Sequence, residues 1–334
     1  MKYRRRSSRR LEELPSLFGE EEIYGEEKQP ITNVVSHREE ESPADGDPLE
    51  LSADFSKPRH RLRFMSFGSG SSGNCSYIGT PECGIIIDAG IDNKFVLNEL
   101  ARNGISPQSI RGVFLTHDHG DHVRYIYSLV RRQPGWRIFA TPRTIEGILR
   151  RHNISRRIRE YHSPIYKEHE YIFDDIKVVP FATSHDGADN MGFAISMGEA
   201  NFVICTDTGV ITERADFYLR QATAMMIESN YDETMLANGR YREHLKARIR
   251  SEIGHLDNAD TANYVVDTYR PTLTHLFLCH LSEENNTPET ATATMLNALR
   301  TIGISPAQSP SAITPGTIFL SALPRFRSSD LYLL

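Results

Sequence analysis

The most informative part of this chain is Thr116-His117-Asp118-His119-Gly120-Asp121-His122. Three histidines and two aspartates stand within these seven residues, directly after the apolar run Val113-Phe114-Leu115. Imidazole nitrogen and carboxylate oxygen are the donors that Zn²⁺ and similar divalent ions accept in proteins. A strand that ends in such a loop gives its ligands a rigid base, so we expect a metal site here rather than a histidine-rich surface loop.

Four more candidate residues follow apolar runs in the same way. Each could be a capping or turn residue when it is considered alone. Their repeated position at the ends of predicted strands argues against coincidence. They are Asp88 after Ile85-Ile86-Ile87, His185 after Val178-Val179-Pro180-Phe181, Asp207 after Phe202-Val203-Ile204-Cys205, and His280 after Leu276-Phe277-Leu278-Cys279.

Charge is distributed unevenly along the 334 residues, whose formal net charge is −6. Residues 1–10 carry six basic groups and no acid, residues 11–50 carry a net charge of −11, and residues 51–334 carry only −1. Charge segregation, several prolines and the lack of periodicity are typical of disorder. We therefore expect residues 1–60 to be a disordered charged extension and residues 61–334 to form one folded domain.

The composition excludes several classes of protein. No apolar run approaches the roughly 18–20 residues that a membrane span needs. Acidic residues follow the basic start, where a secretion signal would have an apolar segment. The four cysteines stand far apart with no C-x-x-C pair, so neither a disulfide framework nor a structural zinc knuckle is expected. We expect a cytoplasmic protein with no membrane partner.

Short apolar runs separated by turns begin at Leu62. They predict strands at 62–67, 84–88, 112–116, 136–140, 176–181, 192–197, 201–206, 224–228, 274–279 and 317–320. Helical patterns predict helices at 94–103, 122–131, 144–152, 233–252, 258–268 and 288–300. Several consecutive strands, with helices between others, favour an α+β domain in which helices cover two sheets.

The order of the candidate residues resembles the metallo-β-lactamase superfamily, whose pattern is an early Asp, H-x-H-x-D-H, a lone His, an Asp and a final His. Within it, the chain resembles the exonuclease-like YycJ/WalJ type. The motifs that carry this resemblance are Gly68-Ser69-Gly70-Ser71-Ser72-Gly73-Asn74, Ser184-His185-Asp186, Glu228-Ser229-Asn230, Gly254-His255-Leu256 and His280-Leu281-Ser282-Glu283-Glu284-Asn285-Asn286. The resemblance covers residue 62 to the C-terminus. It implies a hydrolase with a four-layered αββα fold, in which helices flank two mixed β-sheets.

The resemblance also implies two divalent metal ions, Zn²⁺ or Mn²⁺, and roles for individual residues. One ion would be held by His117, His119 and His185. The second would be held by Asp121, His122 and His280, with Asp207 bridging the two ions. Asp88 would orient a ligand histidine. Asp121 and His255 are the candidate catalytic residues, although His255 could equally cap a helix. The candidate substrate-binding residues are Ser72, Asn74, Asn230 and Asn285.

The chain departs from the YycJ type at one position. The usual S-N-H-D is replaced by Ser229-Asn230-Tyr231-Asp232. A phenol is neither a ready metal ligand nor a proton shuttle near pH 7, because its ordinary pKa is about 10. We therefore do not carry the role of that histidine over to Tyr231.

Charge at the predicted site favours an anionic substrate. Two divalent ions bring more positive charge than Asp121, Asp207 and a hydroxide can balance, which suits a phosphoryl group. The Gly/Ser loop 68–74 could cradle a phosphate or could simply be a hairpin turn. Two clusters of basic residues favour nucleic acid as the substrate over the alternative, in which they form only a solvent-exposed charged surface. They lie at 131–159, with nine arginines, and at 240–250, with four arginines and Lys246.

The predicted function is metal-dependent phosphodiester hydrolysis. The resemblance makes it a DNA exonuclease that uses a hydroxide activated by two metal ions. One alternative is an RNA-processing (tRNase Z-like) or small-phosphodiester hydrolase of the same fold. Another is a non-catalytic, metal-binding regulatory protein. The sequence leaves the oligomeric state open.

Overall fold

A computed structural model describes residues 60–334 of the protein, which form fifteen strands and nine α-helices. The predicted extension, residues 1–60, lies outside the described residues except for His60. Its disorder therefore stays a prediction.

The strands in chain order are β1 (Arg63–Gly68), β2 (Cys75–Gly79), β3 (Gly84–Ile87), β4 (Ile110–Phe114), β5 (Arg137–Ala140), β6 (His162–Pro164), β7 (Tyr171–Phe173), β8 (Ile176–Ala182), β9 (Met191–Met197), β10 (Ala200–Cys205), β11 (Ala224–Glu228), β12 (His275–Cys279), β13 (Ser305–Pro306), β14 (Thr317–Ala322) and β15 (Tyr332–Leu333). The helices are α1 (Asn93–Arg102), α2 (Gly120–Val123), α3 (Ile126–Val130), α4 (Pro142–Arg151), α5 (Glu213–Leu219), α6 (Glu233–Asn238), α7 (Glu243–Ile249), α8 (Asn258–Thr268) and α9 (Pro288–Thr301). Short 3₁₀ helices lie at Pro107–Ser109, Arg156–Tyr161 and Pro310–Ala312.

The strands form two mixed sheets. The first has the order β15-β1-β2-β3-β4-β5-β6, and the second has the order β13-β14-β12-β11-β10-β9-β8-β7. In the first sheet, β1, β2 and β3 are antiparallel, and β3 to β6 run parallel. In the second, β10, β11, β12 and β14 run parallel, and β7 to β10 are antiparallel. The parallel strands of each sheet therefore end at one edge.

The four layers follow from the alternation of side chains along the strands. Phe64 of β1 faces the second sheet, and its ring lies 4.7 Å from that of Phe202 and 4.8 Å from that of Phe277 between centroids. The next residue, Met65, belongs to a separate core that the first sheet forms with α1, α3 and α4. A third core joins the second sheet to α5, α8 and α9. The α+β, αββα architecture predicted for the chain is confirmed.

Six elements were absent from the sequence prediction: the strands β2, β6, β7, β13 and β15, and the helix α5. The strands other than β2 have only two or three residues each. Strand β2 is buried along its whole length, so it shows no alternation of polar and apolar residues. Helix α5 has only seven residues, too few for a clear amphipathic pattern. The Gly/Ser loop joins β1 to its antiparallel partner β2, so it is the connection of a hairpin.

Two predicted helices were wrong in their extent. The predicted helix 233–252 is divided into α6 and α7, because Gly239 ends the first and Arg242 begins the second. Gly239 lies so close to Asn285 that a Cβ there would stand 2.5 Å from the side-chain oxygen. The predicted helix 122–131 is divided into α2 and α3, because Tyr125 donates its N–H to Ala89 O instead of to the helical carbonyl.

The described residues also bear on two simpler expectations. Cys75, Cys83, Cys205 and Cys279 are all free and buried. Among residues 60–334, no helix combines the length and the hydropathy that crossing a membrane requires. The cytoplasmic location stays a prediction.

Candidate metal centre

The ends of the parallel strands supply the candidate ligands. The loop after β4 carries His117 and His119, the short helix α2 that follows carries Asp121 and His122, and His185 follows β8. Asp88, Asp207 and His280, after β3, β10 and β12, have φ angles of 61°, 51° and 54°. This left-handed region costs energy for residues other than glycine and is concentrated at functional sites. The chain therefore turns sharply as soon as each strand delivers its side chain.

The structure brings all seven predicted metal ligands into one cluster. Side-chain atoms of His117, His119 and His185 lie within 4.8 Å of one another, as do those of Asp121, His122 and His280. Asp207 lies between these groups: Oδ2 is 3.3 Å from His122 Nε2, and Oδ1 is 3.4 Å from His280 Nε2. Asp207 Oδ1 is also 3.8 Å from His185 Nε2. Asp207 therefore contacts histidines of both groups, and its role as the ligand shared by two ions stays a prediction.

A close backbone approach makes the second group possible. Gly90 follows the turn at Asp88, and a Cβ on Gly90 would lie 1.6 Å from the carbonyl oxygen of Asp121. Only glycine allows the loop that carries Asp121 and His122 to come this near. The same loop is fixed by the N–H of Ala89, which donates to His122 O at 2.7 Å.

The donor set fits divalent metal ions. His117 is 1% exposed, and its Nε2 has no hydrogen-bond partner among the described residues. A buried polar atom without a partner costs about 1–3 kcal/mol. Imidazole nitrogens and carboxylate oxygens, such as those of Asp121 and Asp207, are the ligands that Zn²⁺ and Mn²⁺ accept. A bound ion would therefore give His117 Nε2 a partner.

Electrostatics divides the histidines into two sets. Burial lowers the pKa of His117 well below its ordinary value and lowers the pKa of His119 to about 4, which favours the neutral form that binds metal. Burial also opposes protonation of His122 and His280, but Asp207 and neighbouring carboxylates outweigh it. The pKa of His122 is raised, and that of His280 is raised to about 10.

The carboxylates respond to the same cations. Burial alone would raise the pKa of Asp121 and of Asp207, but His122 and His280 hold both values below the ordinary range. Two imidazolium groups thus balance these carboxylates in the protein alone. A divalent ion would take over that role and release the protons.

Asp88 lies behind the ligands. Its carboxylate accepts a hydrogen bond from His122 Nδ1 at 2.7 Å, which leaves Nε2 facing Asp121 and Asp207. The N–H and the hydroxyl of Thr116 also donate to it, at 2.9 and 3.1 Å from Oδ1. This contact is what the predicted orienting role of Asp88 requires.

Glu228 was missing from the predicted site residues. It is fully buried, and Oε1 lies 2.7 Å from His255 Nδ1 and 2.9 Å from His280 Nδ1. Oε2 accepts the N–H of Thr208 at 2.7 Å. Its signal was available, because Glu228 is an acid that ends a predicted strand, as Asp207 and His280 do.

His255 lies beside the cluster. Its ring centroid is 4.9 Å from that of His185 and 5.2 Å from that of His280. The alternative role, capping a helix, is wrong: the N-cap of α8 is Asp257, whose carboxylate accepts the N–H of Asp260. His255 is therefore available to the centre, held by Glu228.

Two of the four candidate substrate-binding residues contact the ligands. Asn74 Nδ2 lies 3.0 Å from His122 Nε2, and Asn230 Nδ2 donates to His280 O at 2.7 Å. Ser72 and Asn285 make no hydrogen bond to the seven ligands within residues 60–334. Asn285 is 1% exposed and contacts Ser282 instead. The substrate-binding roles of all four residues stay predictions.

Tyr231 is not part of the centre. Its side chain is 5% exposed and packs in a small apolar cluster with Leu236 and Ile249. Burial raises the pKa of its phenol further above the ordinary value. The residue that replaces the usual histidine therefore supports α6 and α7.

Comparison with known proteins agrees with this geometry. Residues 84–280 match a family model described as a β-lactamase superfamily domain. The chain belongs to the metallo-β-lactamase superfamily. Among proteins of this superfamily, exodeoxyribonuclease YycJ of Bacillus anthracis is 31% identical over 242 residues, which cover 72% of this chain and 90% of that protein. Exodeoxyribonuclease WalJ of Streptococcus pneumoniae serotype 2 is 30% identical over 246 residues, covering 71% of this chain and 88% of WalJ.

A solved structure supports the fold independently. The metallo-β-lactamase fold protein YhfI from Bacillus subtilis is only 12% identical, but the match covers 81% of this chain and 99% of YhfI with a TM-score of 0.54. The metallo-β-lactamase fold and the resemblance to the YycJ/WalJ type are therefore confirmed. The protein is a metal-dependent hydrolase of the metallo-β-lactamase superfamily.

Proposed function

We propose that this metallo-β-lactamase-fold hydrolase is an exonuclease that cleaves phosphodiester bonds at the ends of DNA. The observation that carries the proposal is the convergence of seven ligand side chains at one sheet edge, in a chain about 30% identical to two proteins named exodeoxyribonucleases. Identity of this degree over most of both chains supports a shared chemistry. DNA as the substrate rests on the names of those relatives.

The cluster would hold two divalent ions in the predicted way, with Asp207 shared between them. Such ions lower the pKa of water towards about 7 and stabilise the charge of a phosphoryl transition state. Of the two carboxylate ligands, Asp121 is better placed to meet a substrate, because 19% of its side chain is exposed, against 4% for Asp207. Asn74 Nδ2 donates to Asp121 Oδ2 at 3.4 Å.

The chain can also supply a proton to the leaving group. His255 is part-buried at the edge of the cluster, and its Nδ1 contacts the buried carboxylate of Glu228. A carboxylate on Nδ1 fixes the imidazole so that Nε2 is free to exchange a proton. We assign His255 the role of general acid and Glu228 the role of positioning it.

Basic residues flank the other side of the cluster. Two groups that are about a hundred residues apart in sequence meet at Asp186, which lies 3.3 Å from His119 Nε2. Arg151 donates to Asp186 O at 3.2 Å, and Arg248 donates to Asp186 Oδ2 at 2.8 Å. Both arginine side chains are more than 40% exposed. Arg151 is also paired with Asp118 at 3.2 Å, and Asp186 neutralises Arg248, so both guanidinium groups are held in place by carboxylates. A bound strand would meet them as hydrogen-bond donors to its phosphates next to the first metal group.

The test is an assay on end-labelled DNA and RNA, each single- and double-stranded, with Mn²⁺ or Zn²⁺. The protein should shorten DNA from an end, and Asp121→Ala and His185→Ala should abolish turnover while the fold, monitored by circular dichroism, is kept. The matched control is His169→Ala, an exposed histidine outside the cluster, which should retain full activity.

Other outcomes separate the alternatives. Cleavage of RNA alone would replace DNA exonuclease by RNA processing. Metal binding without cleavage of any phosphodiester would indicate a regulatory protein. Full activity in Asp121→Ala or His185→Ala would show that the centre has been assigned wrongly.

A further inference from the structure

The segment that follows β14 lies against the Gly/Ser loop at the edge of the metal cluster. The N–H of Ser69 donates to Pro324 O at 3.0 Å. The hydroxyl oxygen of Ser69 in turn accepts the N–H of the ligand His280 at 2.9 Å. This chain of contacts brings residues 324–326 close to the second metal group.

A surface cavity of about 340 Å³ opens between this segment and the start of α9. Leu281, the residue after the ligand His280, lines one side of it, and Leu323 and Phe326 line another. Phe326 is 70% exposed, the largest value for any large hydrophobic side chain within residues 60–334. An exposed aromatic face at the mouth of an apolar cavity favours a flat, uncharged ligand.

Arg325 fixes this part of the segment. Its guanidinium group donates to Leu281 O and, at 3.3 Å, to the hydroxyl of Ser71. The guanidinium carbon also lies 5.6 Å from the centroid of the Phe326 ring. Because these two hydrogen bonds fix Arg325, the backbone that carries the neighbouring Phe326 ring is also held in place.

The neighbouring loop offers donors for a phosphate. A turn closes it, with the N–H of Gly73 donating to Gly70 O at 3.0 Å. The N–H groups of Ser71 and Ser72, at the tip of this turn, have no acceptor within the described part of the chain. Successive free N–H groups in a turn form an anion-binding concavity. Arg124, which donates to Ser72 O at 3.4 Å, adds positive charge.

The far side of the cavity carries the opposite charge. Glu283, 60% exposed, and Glu289 both line it. These carboxylates repel a phosphate, but they can accept hydrogen bonds from the amino groups of a base. A nucleotide placed here would therefore put its base in the cavity and its phosphate at the loop.

We propose that Phe326 stacks on an unpaired nucleobase close to the cleavage site, while the N–H groups of Ser71 and Ser72 hold an adjacent phosphate. This inference rests on the proposed nuclease function and deepens it, because it names a single-stranded end as the feature that the enzyme recognises. Stacking of a base on an aromatic side chain tolerates every base, which suits an enzyme that removes nucleotides one after another.

The experiment uses the full-length protein and two fluorescein-labelled single-stranded oligonucleotides of one length. One has ordinary bases throughout, and the other has abasic tetrahydrofuran residues at its unlabelled end. Anisotropy should show that the wild type prefers the ordinary oligonucleotide, and that Phe326→Ala loses this preference with roughly 5- to 150-fold weaker binding. Phe326→Trp should restore it, because the indole also stacks.

The matched control is Phe217→Ala. Phe217 is another exposed phenylalanine beneath an arginine, but it lies on α5. An equal loss in this control, or an unchanged preference in Phe326→Ala, would overturn the proposal. A loss confined to self-association, measured by sedimentation, would also overturn it and assign the patch to a second copy of the chain.

Cleavage of the ordinary oligonucleotide in Mn²⁺ separates this proposal from the one it rests on. Base preference without cleavage in the wild type would contradict the nuclease function and keep the stacking site. Cleavage without any base preference would keep the function and remove the stacking site.

Discussion

Single residues decide how firmly the metal ligands are held. Asp88 contacts His122 and Glu228 contacts His280, each through Nδ1, so both histidines of the second group are oriented by a buried carboxylate. Asp121 and Asp207 lie next to the other ring nitrogen, Nε2, of these histidines. The carboxylates behind the ligands should therefore matter almost as much as the ligands themselves.

The first prediction concerns Asp88→Asn. The substitution keeps the size of the side chain but removes the charge that orients His122, so metal affinity and turnover should each fall about 10- to 100-fold. Isothermal titration with Zn²⁺ or Mn²⁺ measures the affinity. Asp175→Asn, at an exposed carboxylate in the turn between β7 and β8, should leave it unchanged. Unaltered metal affinity in Asp88→Asn would refute the role.

The second prediction concerns Tyr231→His, which restores the residue usual in the YycJ type. Because Tyr231 packs against Leu236 and Ile249, an imidazole there should leave a gap and a buried polar group. We expect a loss of about 1–3 kcal/mol in the free energy of unfolding, without a gain in turnover. Urea denaturation measures the loss. Tyr241→His, at a partly buried tyrosine, is the control variant. Higher activity at unchanged stability would contradict this assignment.

At the level of elements, the centre depends on strands that end together. Strands β10, β11 and β12 are parallel neighbours, and their ends place Asp207, Glu228 and His280 side by side. The chain passes from the first sheet to the second between the edge strands β6 and β7. The turn that connects these two strands contacts α5. There Glu168 accepts hydrogen bonds from Arg214 and, at 2.8 Å, from Tyr218.

The third prediction is the pH dependence of the hydrogen bonds that Glu168 accepts from α5. The hydrogen bond from Arg214 holds the pKa of Glu168 below its ordinary value of 4.5, although partial burial opposes it. Its contribution to stability is therefore present above pH 4.5 and is lost as the pH falls through the lower, folded-state pKa. Both side chains are more than a third exposed, so the contribution should not exceed ~1 kcal/mol.

Thermal unfolding from pH 3 to 7 tests the prediction. Wild type should be more stable than Glu168→Gln at pH 7, and the two melting temperatures should converge below pH 4.5. Glu199→Gln, at an exposed glutamate on the turn before β10, should follow the wild type throughout. A difference that persisted undiminished at pH 3 would contradict the sign.

For the whole molecule, the distribution of arginines matters more than their number. Several of those that the sequence grouped together are paired in the structure, Arg157 with Glu160 and Arg159 with Glu146. Others, including Arg150 at the end of α4, are exposed and have no ion pair within residues 60–334. The unpaired arginines nearest the centre should contribute most to binding an anionic polymer.

The fourth prediction concerns Arg150→Ala. Removal of one phosphate contact should weaken DNA binding several-fold and reduce the slope of log affinity against log salt by ~1. Anisotropy titrations between 50 and 200 mM salt measure both effects. Arg300→Ala, at an exposed arginine in the last turn of α9, is the matched control and should leave the slope unchanged. An unchanged slope in Arg150→Ala would move the path of the nucleic acid away from α4.

The strand ends that carry the candidate ligands could be predicted from the chain alone because their signals are local, whereas the αββα fold and the role of each ligand came from the resemblance to the superfamily. An apolar run followed by histidine or aspartate marks a strand end, and this pattern occurs at Asp88, His117, His185, Asp207 and His280. The patterned helices were predicted for the same reason. Strand β2 and helix α5 were not, because one is buried on both faces and the other is short.

What surrounds the ligands depends on contacts between distant parts of the chain. Glu228 reaches His255 and His280 only because β11 lies between β10 and β12, and the order of strands in a sheet leaves no mark on any one strand. Arg151 and Arg248 meet at Asp186, while Tyr231 turns away into an apolar cluster. Local patterns fix which side chains end the strands. Long-range packing fixes which of them meet, because that depends on elements far apart in the sequence.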